Sequence, residues 1–342
     1  MKATSNTDHQ YFHKVVDCQW ACPAHTPVPE YIRHVAAGRY DDAYLINWKA
    51  NVFPGILGRV CDRPCEPACR RGRVDEEPVA ICRLKRVAAD NRGDISSSLP
   101  KIPAEKNGKK IALIGGGPAS LTVARDLMPL GYEVDLFDRG YKGGGMMVSQ
   151  IPTFRLPAPV LDEEVNMILD MGVSSHFNHD VTSMKEMLSA GYDSIFVGTG
   201  APKGRDISIP GRNKAANNIH IGIDWLASVA FEHTDKIGKK VIILGGGNTA
   251  MDCFRTSRRL GGESVNEVVR SGYEEMKASP WEKEDALMED VEIHNFLVPE
   301  EFLHNEGTLT GIRFQKVKAE YENGRRKLLP TGEADVIIEC DE

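Results

Sequence analysis

Six cysteines crowd the first quarter of a 342-residue chain: Cys18, Cys22, Cys61, Cys65, Cys69 and Cys82. Two more, Cys253 and Cys340, lie far downstream. The early ones run Cys18-Gln19-Trp20-Ala21-Cys22-Pro23 and Cys61-Asp62-Arg63-Pro64-Cys65-Glu66-Pro67-Ala68-Cys69, so every short gap is three residues. Thiolates hold zinc or iron–sulfur centres. Zinc knuckles usually show a two-residue gap, and the uniform three-residue gap favours an iron–sulfur cluster over zinc. Buried, reduced cysteines are the plainer reading, and they explain the crowding poorly. Pro64 and Pro67 keep an ordinary helix out of the second group. The ligands then ride on a stiff, irregular turn that suits wrapping a compact cluster.

A second kind of chemistry is written in glycines. Ile111-Ala112-Leu113-Ile114 reads as a buried parallel strand, and Gly115-Gly116-Gly117-Pro118-Ala119-Ser120 turns it into a helix spanning 121–130, stopped at Gly131. Gly115 suits a tight turn and Gly117 a close approach to a pyrophosphate, with Ser120 as the small third position. The helix beyond the turn offers free N–H groups and a positive dipole end to the phosphates, and Pro118 and Ala119 of the turn are counted with the site. A second strand over 133–137 ends at Asp138, the acid expected about 20 positions on to bond a ribose hydroxyl. Arg139 follows it and is counted with the site.

The pattern recurs at Lys239–Ala250, with Gly245, Gly247, Asn248, Thr249 and Ala250 opening a helix over 251–260. Asp252 and Cys253 sit just inside that helix, Cys253 as a core residue. Two such units mean two nucleotides, FAD plus a nicotinamide being the usual pair. A flavin takes two electrons as hydride and releases them singly, as iron–sulfur centres require. A second unit that is a fold element without a ligand is the alternative.

The elements that must position these residues are legible in outline. Segment 28–48 reads as two helices, Gly38 closing the first and 40–48 forming the second. Segment 91–107, with Gly93, three serines, Pro100 and Pro103, reads as a linker. Segment 192–197 reads as a buried strand ending in Gly198-Thr199-Gly200-Ala201, a small-residue turn that lets the chain pass a dinucleotide. The formal charge of −7 gives no sign of a nucleic-acid partner. No apolar run is long enough to span a bilayer, the first ten residues lack a signal-peptide core, and the expected setting is the cytosol, where thiols stay reduced. Arg59, Arg63, Arg70, Arg71, Arg73, Arg83, Lys85 and Arg86 crowd the cysteines. Most are read as a solvated surface, and a minority as offsetting cluster charge or docking an acidic electron carrier. The histidines show no hydrolytic triad.

Cys18-x3-Cys22-Pro23, Phe53-Pro54, Gly58-Arg59-Val60-Cys61, Pro64-Cys65-Glu66, Cys69, Leu84-Lys85-Arg86, Gly143-Gly144-Gly145-Met146-Met147, Ile151-Pro152-Thr153-Phe154-Arg155-Leu156-Pro157 and Val160-Leu161 together resemble the glutamate synthase small-subunit family of NAD(P)H-dependent FAD/iron–sulfur oxidoreductases. The resemblance implies an α/β chain: a helical iron–sulfur domain over 1–105, a Rossmann-like FAD domain over 106–215 and a Rossmann-like NAD(P) domain over 216–342. It implies a [4Fe-4S] cluster on Cys22, Cys61 and Cys65, with Cys82 as the fourth ligand. Cys18 and Cys69 would belong to a second cluster. Its remaining ligands, a Cys pair upstream in larger members, would come from elsewhere, a partner subunit included. It places FAD at the first Gly-rich loop, passed by Gly143, Gly144, Arg155, Thr199 and Gly200, and NADH or NADPH at the second, with Asp252 beside the nicotinamide. The family's last flavin-domain segment would follow the strand read over 334–339, so FAD is expected to be bound weakly or completed by residues outside this sequence.

The family's NADPH users carry two adjacent arginines and a third shortly after, before a Glu-Met pair. Here Arg270-Ser271-Gly272-Tyr273-Glu274-Glu275-Met276, past a strand read over 266–270, keeps one. NADH is therefore expected to serve at least comparably to NADPH. The implied activity is passage of electrons from NAD(P)H to a partner subunit or ferredoxin. The alternatives are the small subunit of glutamate synthase and a non-catalytic electron-wire adaptor in a larger redox complex.

Overall fold

The computed structural model describes residues 16–342. It divides into two compact units, one running through Val148 and resuming over Thr153–Gly200, the other formed by Ser149–Pro152 and Ala201–Glu342.

The first unit opens with helices α1 (Asp17–Ala21), α2 (Val28–Ala36), α3 (Tyr40–Asn51), α4 (Pro54–Val60) and α5 (Ile81–Asn91). Pro29 sits in the first turn of α2, where its missing N–H costs nothing, and Gly38 takes a φ of +69° just past the end. Tyr31, Ala43, Ile81 and Ala88 are buried together with Cys65, which places thiols inside the helical core. The Tyr31 hydroxyl donates to Ile81 O at 2.8 Å and joins α2 to α5. Helix α3 runs three residues past the expected Trp48. Buried Asn51 holds that last turn by donating to Asn47 Oδ1 at 3.0 Å and Thr26 Oγ1 at 3.2 Å. Helices α4 and α5 cross so closely that a Cβ on Gly58 would lie 2.7 Å from Arg86 Cα.

A parallel sheet follows in the order β3-β2-β1-β4, from β1 (Lys110–Ile114), β2 (Glu133–Phe137), β3 (Ser174–His176) and β4 (Ser194–Val197). Helix α6 (Pro118–Leu127) leads from β1 to β2, and α7 (Ala158–Leu169) precedes β3. Helix α6 starts three residues earlier than the hydrophobic pattern suggested, because Pro118 at its first position is pre-set for helix. Strand β4 is half-exposed rather than buried: among the described residues it is the sheet edge and pairs with β1 alone.

The second unit holds a parallel sheet β5 (Lys240–Leu244), β6 (Ser264–Val269), β7 (Glu292–Asn295) with β6 central. An antiparallel sheet joins β8 (Leu297–Asn305), β9 (Thr308–Glu322), β10 (Arg325–Pro330) and β11 (Val336–Ile338). Helices α8 (Gly222–Ala230), α9 (Asn248–Arg259) and α10 (Pro280–Met288) complete the unit, with Met251 and Phe254 of α9 fully buried. The ladder with β5 begins at Ser264, so β6 starts earlier than expected and leaves Arg270 just past its end. Among the described residues no helix is long and apolar enough to cross a membrane.

Candidate cluster and nucleotide sites

Helix α4 delivers Cys61 at its C-terminal cap, where the Cys61 N–H bonds Leu57 O. The chain then turns through Arg63, at φ +50°, and two backbone bonds: Glu66 N to Arg63 O at 3.0 Å and Cys69 N to Glu66 O at 2.9 Å. Cys82, second residue of α5, is tied back to this turn. Its N–H donates to Glu66 Oε1 at 2.9 Å and its thiol to Leu57 O at 3.2 Å. The Cys82 thiol also hydrogen-bonds Cys61, which holds the Cys61 thiol below its ordinary range and pushes Cys82 up. Burial pushes Cys65 up to about 12, and the neighbouring Cys61 and Cys22 add to that. The fully buried phenol of Tyr31 is raised by burial first, and then by Cys65, Cys82, Cys18 and Cys22. Cys18 is raised by burial and, more weakly, by Cys69.

Cys61 lies against Cys82, Cys65 lies near Cys61 and Cys22, and Cys18 lies near Cys69, with Cys18, Cys65 and Cys69 packed in one helical core. The buried ammonium of Lys85 acts on Cys61, Cys65 and Cys82 alike, favouring their thiolates. Of the basic residues near the cysteines, Lys85 is therefore one that offsets thiolate charge. Arg70 and Arg73 instead reach buried Asp17, at 2.7 and 3.5 Å. Among the described residues no three His, Cys, Asp or Glu are arranged to hold a single metal ion. Soft thiols gathered near one buried cation have the donor chemistry of an iron–sulfur cluster. Its ligands surround a group of irons rather than converge on one point.

In the first Gly-rich loop Gly115 takes φ +94°, and a Cβ there would lie 2.5 Å from Gly198 O. Gly117, the N-cap of α6, has nothing within 4 Å on its Cβ side, which leaves room for a phosphate group. Pro118 and Ala119 are exposed at the start of that helix. Gly144 N donates to Gly116 O at 2.8 Å, and a Cβ on Gly145 would lie 2.9 Å from Gly117 Cα, so the 143–145 loop is laid directly on the fingerprint. Asp138 accepts from Gly116 N and from Gly140 N. A carboxylate has about four acceptor positions, so two remain for further donors. Ser120 is fully buried and its hydroxyl has no partner among the described residues. It packs where a Cβ on Gly198 would come within 2.3 Å, which places the turn carrying Thr199 and Gly200 beside the loop. Arg139 is exposed beside Asp138, and Arg155 is half-buried in the segment after the second glycine loop.

The second Gly-rich loop repeats the arrangement. Gly245 takes φ +145°, and Gly247, the N-cap of α9, again has open space on its Cβ side. A cavity of about 480 Å³ in this unit is lined by Gly245, Gly247, Thr249, Ala250 and Cys253, among apolar side chains. The segment after β6 is stapled to the loop by Ala278 N to Gly246 O at 3.0 Å and Ser279 N to Asn248 Oδ1 at 2.8 Å. Sequence reasoning missed that staple, which spans 31 positions. It also missed Lys283, whose ammonium lies 4.3 Å from the centre of the Tyr273 ring and donates to Tyr273 O at 3.2 Å. Arg270 is exposed, whereas Ser271 is buried with its carbonyl taken by Asn295. Asp252 is buried, and burial pushes the Cys253 thiol up to about 12. On β6, Glu267 is fully buried with neither carboxyl oxygen partnered among the described residues, and burial pushes it up to about 8.

Comparison with known proteins adds to this picture. Residues 6–95 match the family described as dihydropyrimidine dehydrogenase domain II, 4Fe-4S cluster, and residues 109–339 the pyridine nucleotide-disulphide oxidoreductases. The beta subunit of the Moorella thermoacetica NADP(+)-dependent formate dehydrogenase is 34% identical over 95% of this chain and 49% of its own length. The NADPH-Fe(3+) oxidoreductase beta subunit of Geobacter sulfurreducens is 33% identical over 97% and 51%. The small chain of the Azospirillum brasilense NADPH glutamate synthase is 32% identical over 94% and 71%. The chain thus spans about half the length of the first two relatives. Among solved structures, Mycobacterium tuberculosis FprA in complex with NADPH superposes with a TM-score of 0.57 over 68% of this chain and 69% of its own, at 16% identity. A 2-naphthoyl-CoA reductase complex superposes at 0.55 over 90% of this chain and 44% of its own, at 17% identity.

Proposed function

The chain belongs to the glutamate synthase small-subunit family of NAD(P)H-dependent FAD/iron–sulfur oxidoreductases, and from that premise we propose that it draws electrons from a nicotinamide and passes them singly to a partner redox subunit or ferredoxin. The observation that carries this reading is the gathering of Cys22, Cys61, Cys65 and Cys82 around buried Lys85, in one chain with two Gly-rich loops that each leave room at a helix N-terminus. Bound FAD supplies the conversion of a two-electron hydride into single electrons, and a bound cluster supplies a one-electron relay.

The chain's own residues prepare this. Gly117 and the first turn of α6, Pro118, Ala119 and Ser120, receive the FAD pyrophosphate, and Asp138 offers its free acceptor positions to the ribose. The loop over 143–145, with Arg155, Thr199 and Gly200, passes the flavin. Gly245, Gly247, Asn248, Thr249 and Ala250 receive the nicotinamide dinucleotide, with Asp252 beneath and Arg270 at its adenosine end. Cys22, Cys61, Cys65 and Cys82 hold the cluster, Lys85 offsetting its negative charge. Cys18 and Cys69 form half of a second thiolate set. The domain reading of 1–105, 106–215 and 216–342 follows the same division of labour.

Membership of a redox complex is supported by relatives that are named as subunits, and service as the small subunit of a glutamate synthase by the 71% of such a chain that this one matches. A cytoplasmic setting is supported by the sequence's crowded cysteines, read as thiolate ligands that suit a reducing compartment. The deciding experiment is the visible spectrum of the anaerobically purified protein with its iron, zinc and flavin content. Flavin bands, a broad iron–sulfur shoulder and bleaching by NAD(P)H are expected. Stoichiometric zinc without iron would refute the reading.

A further inference from the structure

Helix α4 is held at both ends by groups from far along the chain. At its N-terminal end the buried carboxylate of Glu164, from α7, accepts Gly55 N at 2.7 Å and Ile56 N at 3.0 Å, and also the Tyr44 hydroxyl at 2.8 Å. The approach is close: a Cβ on Gly55 would lie 3.1 Å from Glu164 Oε1. At its C-terminal end the helix supplies the Leu57 carbonyl, which receives both the Cys61 N–H and the Cys82 thiol. A seven-residue helix is about 10 Å long, so the carboxylate and the two thiols sit at opposite ends of one rigid rod. The adjoining face of α7 meets the glycine loop: Val165 lies 3.1 Å, and Leu161 3.7 Å, from where Cβ atoms on Gly143 and Gly144 would be.

We propose that Glu164 is a positioning residue for the cysteine site, fixing the axial placement of α4 and so the relative placement of the Cys61 and Cys82 sulfurs. A carboxylate is suited to this. It accepts two backbone N–H groups at the positive end of the helix, satisfying donors that would otherwise be orphaned, and it has a lone pair left for Tyr44. Because α7 also backs the 143–145 loop, the same residue ties the placement of those sulfurs to the nucleotide-binding half. The proposal rests on the reading of Cys61 and Cys82 as cluster ligands, and its test does not require a bound cluster.

In the iron-free full chain, the alkylation rate of each cysteine is followed by mass spectrometry in the native protein and in Glu164→Gln and Glu164→Leu. Gln keeps one acceptor and places an amide N–H against a backbone donor. Cys61 and Cys82 are expected to react at least tenfold faster in Glu164→Gln, while Cys18 and Cys69 in the same helical core, and Cys253 and Cys340, keep their native rates. Equal acceleration of Cys18 and Cys69 would show a general loosening and overturn the proposal, as would unchanged rates at Cys61 and Cys82. Should Glu164→Leu prove insoluble, Glu164→Gln decides alone. In anaerobically reconstituted protein, Glu164→Gln is expected to shift the cluster's electron paramagnetic resonance signature while NAD(P)H still bleaches the flavin. A native chain that takes up no iron would sink the electron-transfer reading and leave the alkylation test standing.

Discussion

Glu267 is the residue whose chemistry is least like its surroundings. It lies on the central strand β6 between Val265 and Val269, fully buried, with no partner for either oxygen among the described residues. Burial pushes it to about 8, against an ordinary value of 4.5, so the folded protein holds a proton there that the unfolded chain releases. Stability from this group is complete below about pH 4.5, declines as pH rises, and is fully lost above about pH 8. A shift of this size corresponds to about 5 kcal/mol. Glu267→Gln should therefore match or trail the native protein in urea unfolding at pH 5 and exceed it at pH 8.5, and parallel pH profiles would contradict this. Arg270 carries a different prediction. It is the one arginine left of the expected three, exposed at the end of β6. Losing a charged hydrogen bond typically costs about 1.5–3 kcal/mol. Flavin reduction by NADH at equal concentration should thus come within tenfold of that by NADPH, and Arg270→Ala should weaken NADPH far more than NADH. A hundredfold native preference for NADPH would refute it.

At the scale of elements, the fingerprint strands and turns were legible because their signals are local. The strand over 133–137, its terminal Asp138 and the turn glycines stand where periodicity and spacing put them. The crowding of cysteines in the helical segment was likewise legible, since Cys65 is buried there with Cys18 and Cys69 packed around it. What was not legible is what reaches across the chain. Glu164 lies 109 positions from Gly55, Glu66 lies 16 from Cys82, and the Asn248–Ser279 staple spans 31. No local pattern marks such partners, since a Glu in a polar helix stretch reads as solvated until its neighbours are known. The extra turn of α3 and the exposure of β4 escaped for the same reason: buried Asn51 and the sheet edge are tertiary facts. Packing between α4 and α5 yields a sharp test. A Cβ at Gly58 would meet the Arg86 backbone, which cannot swing aside as a side-chain tip can. Gly58→Ala should destabilise the protein by about 1–3 kcal/mol through overpacking and lower its iron content, measured by urea unfolding and metal analysis. A neutral effect on both would show that the helices part easily.

For the whole molecule, the division of labour predicts separable losses. Anaerobic removal of iron with a chelator should leave NAD(P)H able to bleach the flavin yet abolish delivery to a one-electron acceptor protein. Loss of both together would mean that the cluster is needed to hold the flavin. Cys65→Ser should remove most of the iron, because Cys65 is buried between Cys61 and Cys22.

The Lys283 ammonium over the Tyr273 ring has a consequence for how this protein can change over time. A cation above an aromatic face is a favourable pair, but the same ammonium is a poor neighbour for a second positive charge. A basic residue introduced at position 273 would set its charge against the buried Lys283. The substitution pays off only if Lys283 changes first or together with it. Positions 273 and 283 are therefore expected to tolerate a new positive charge only as a pair.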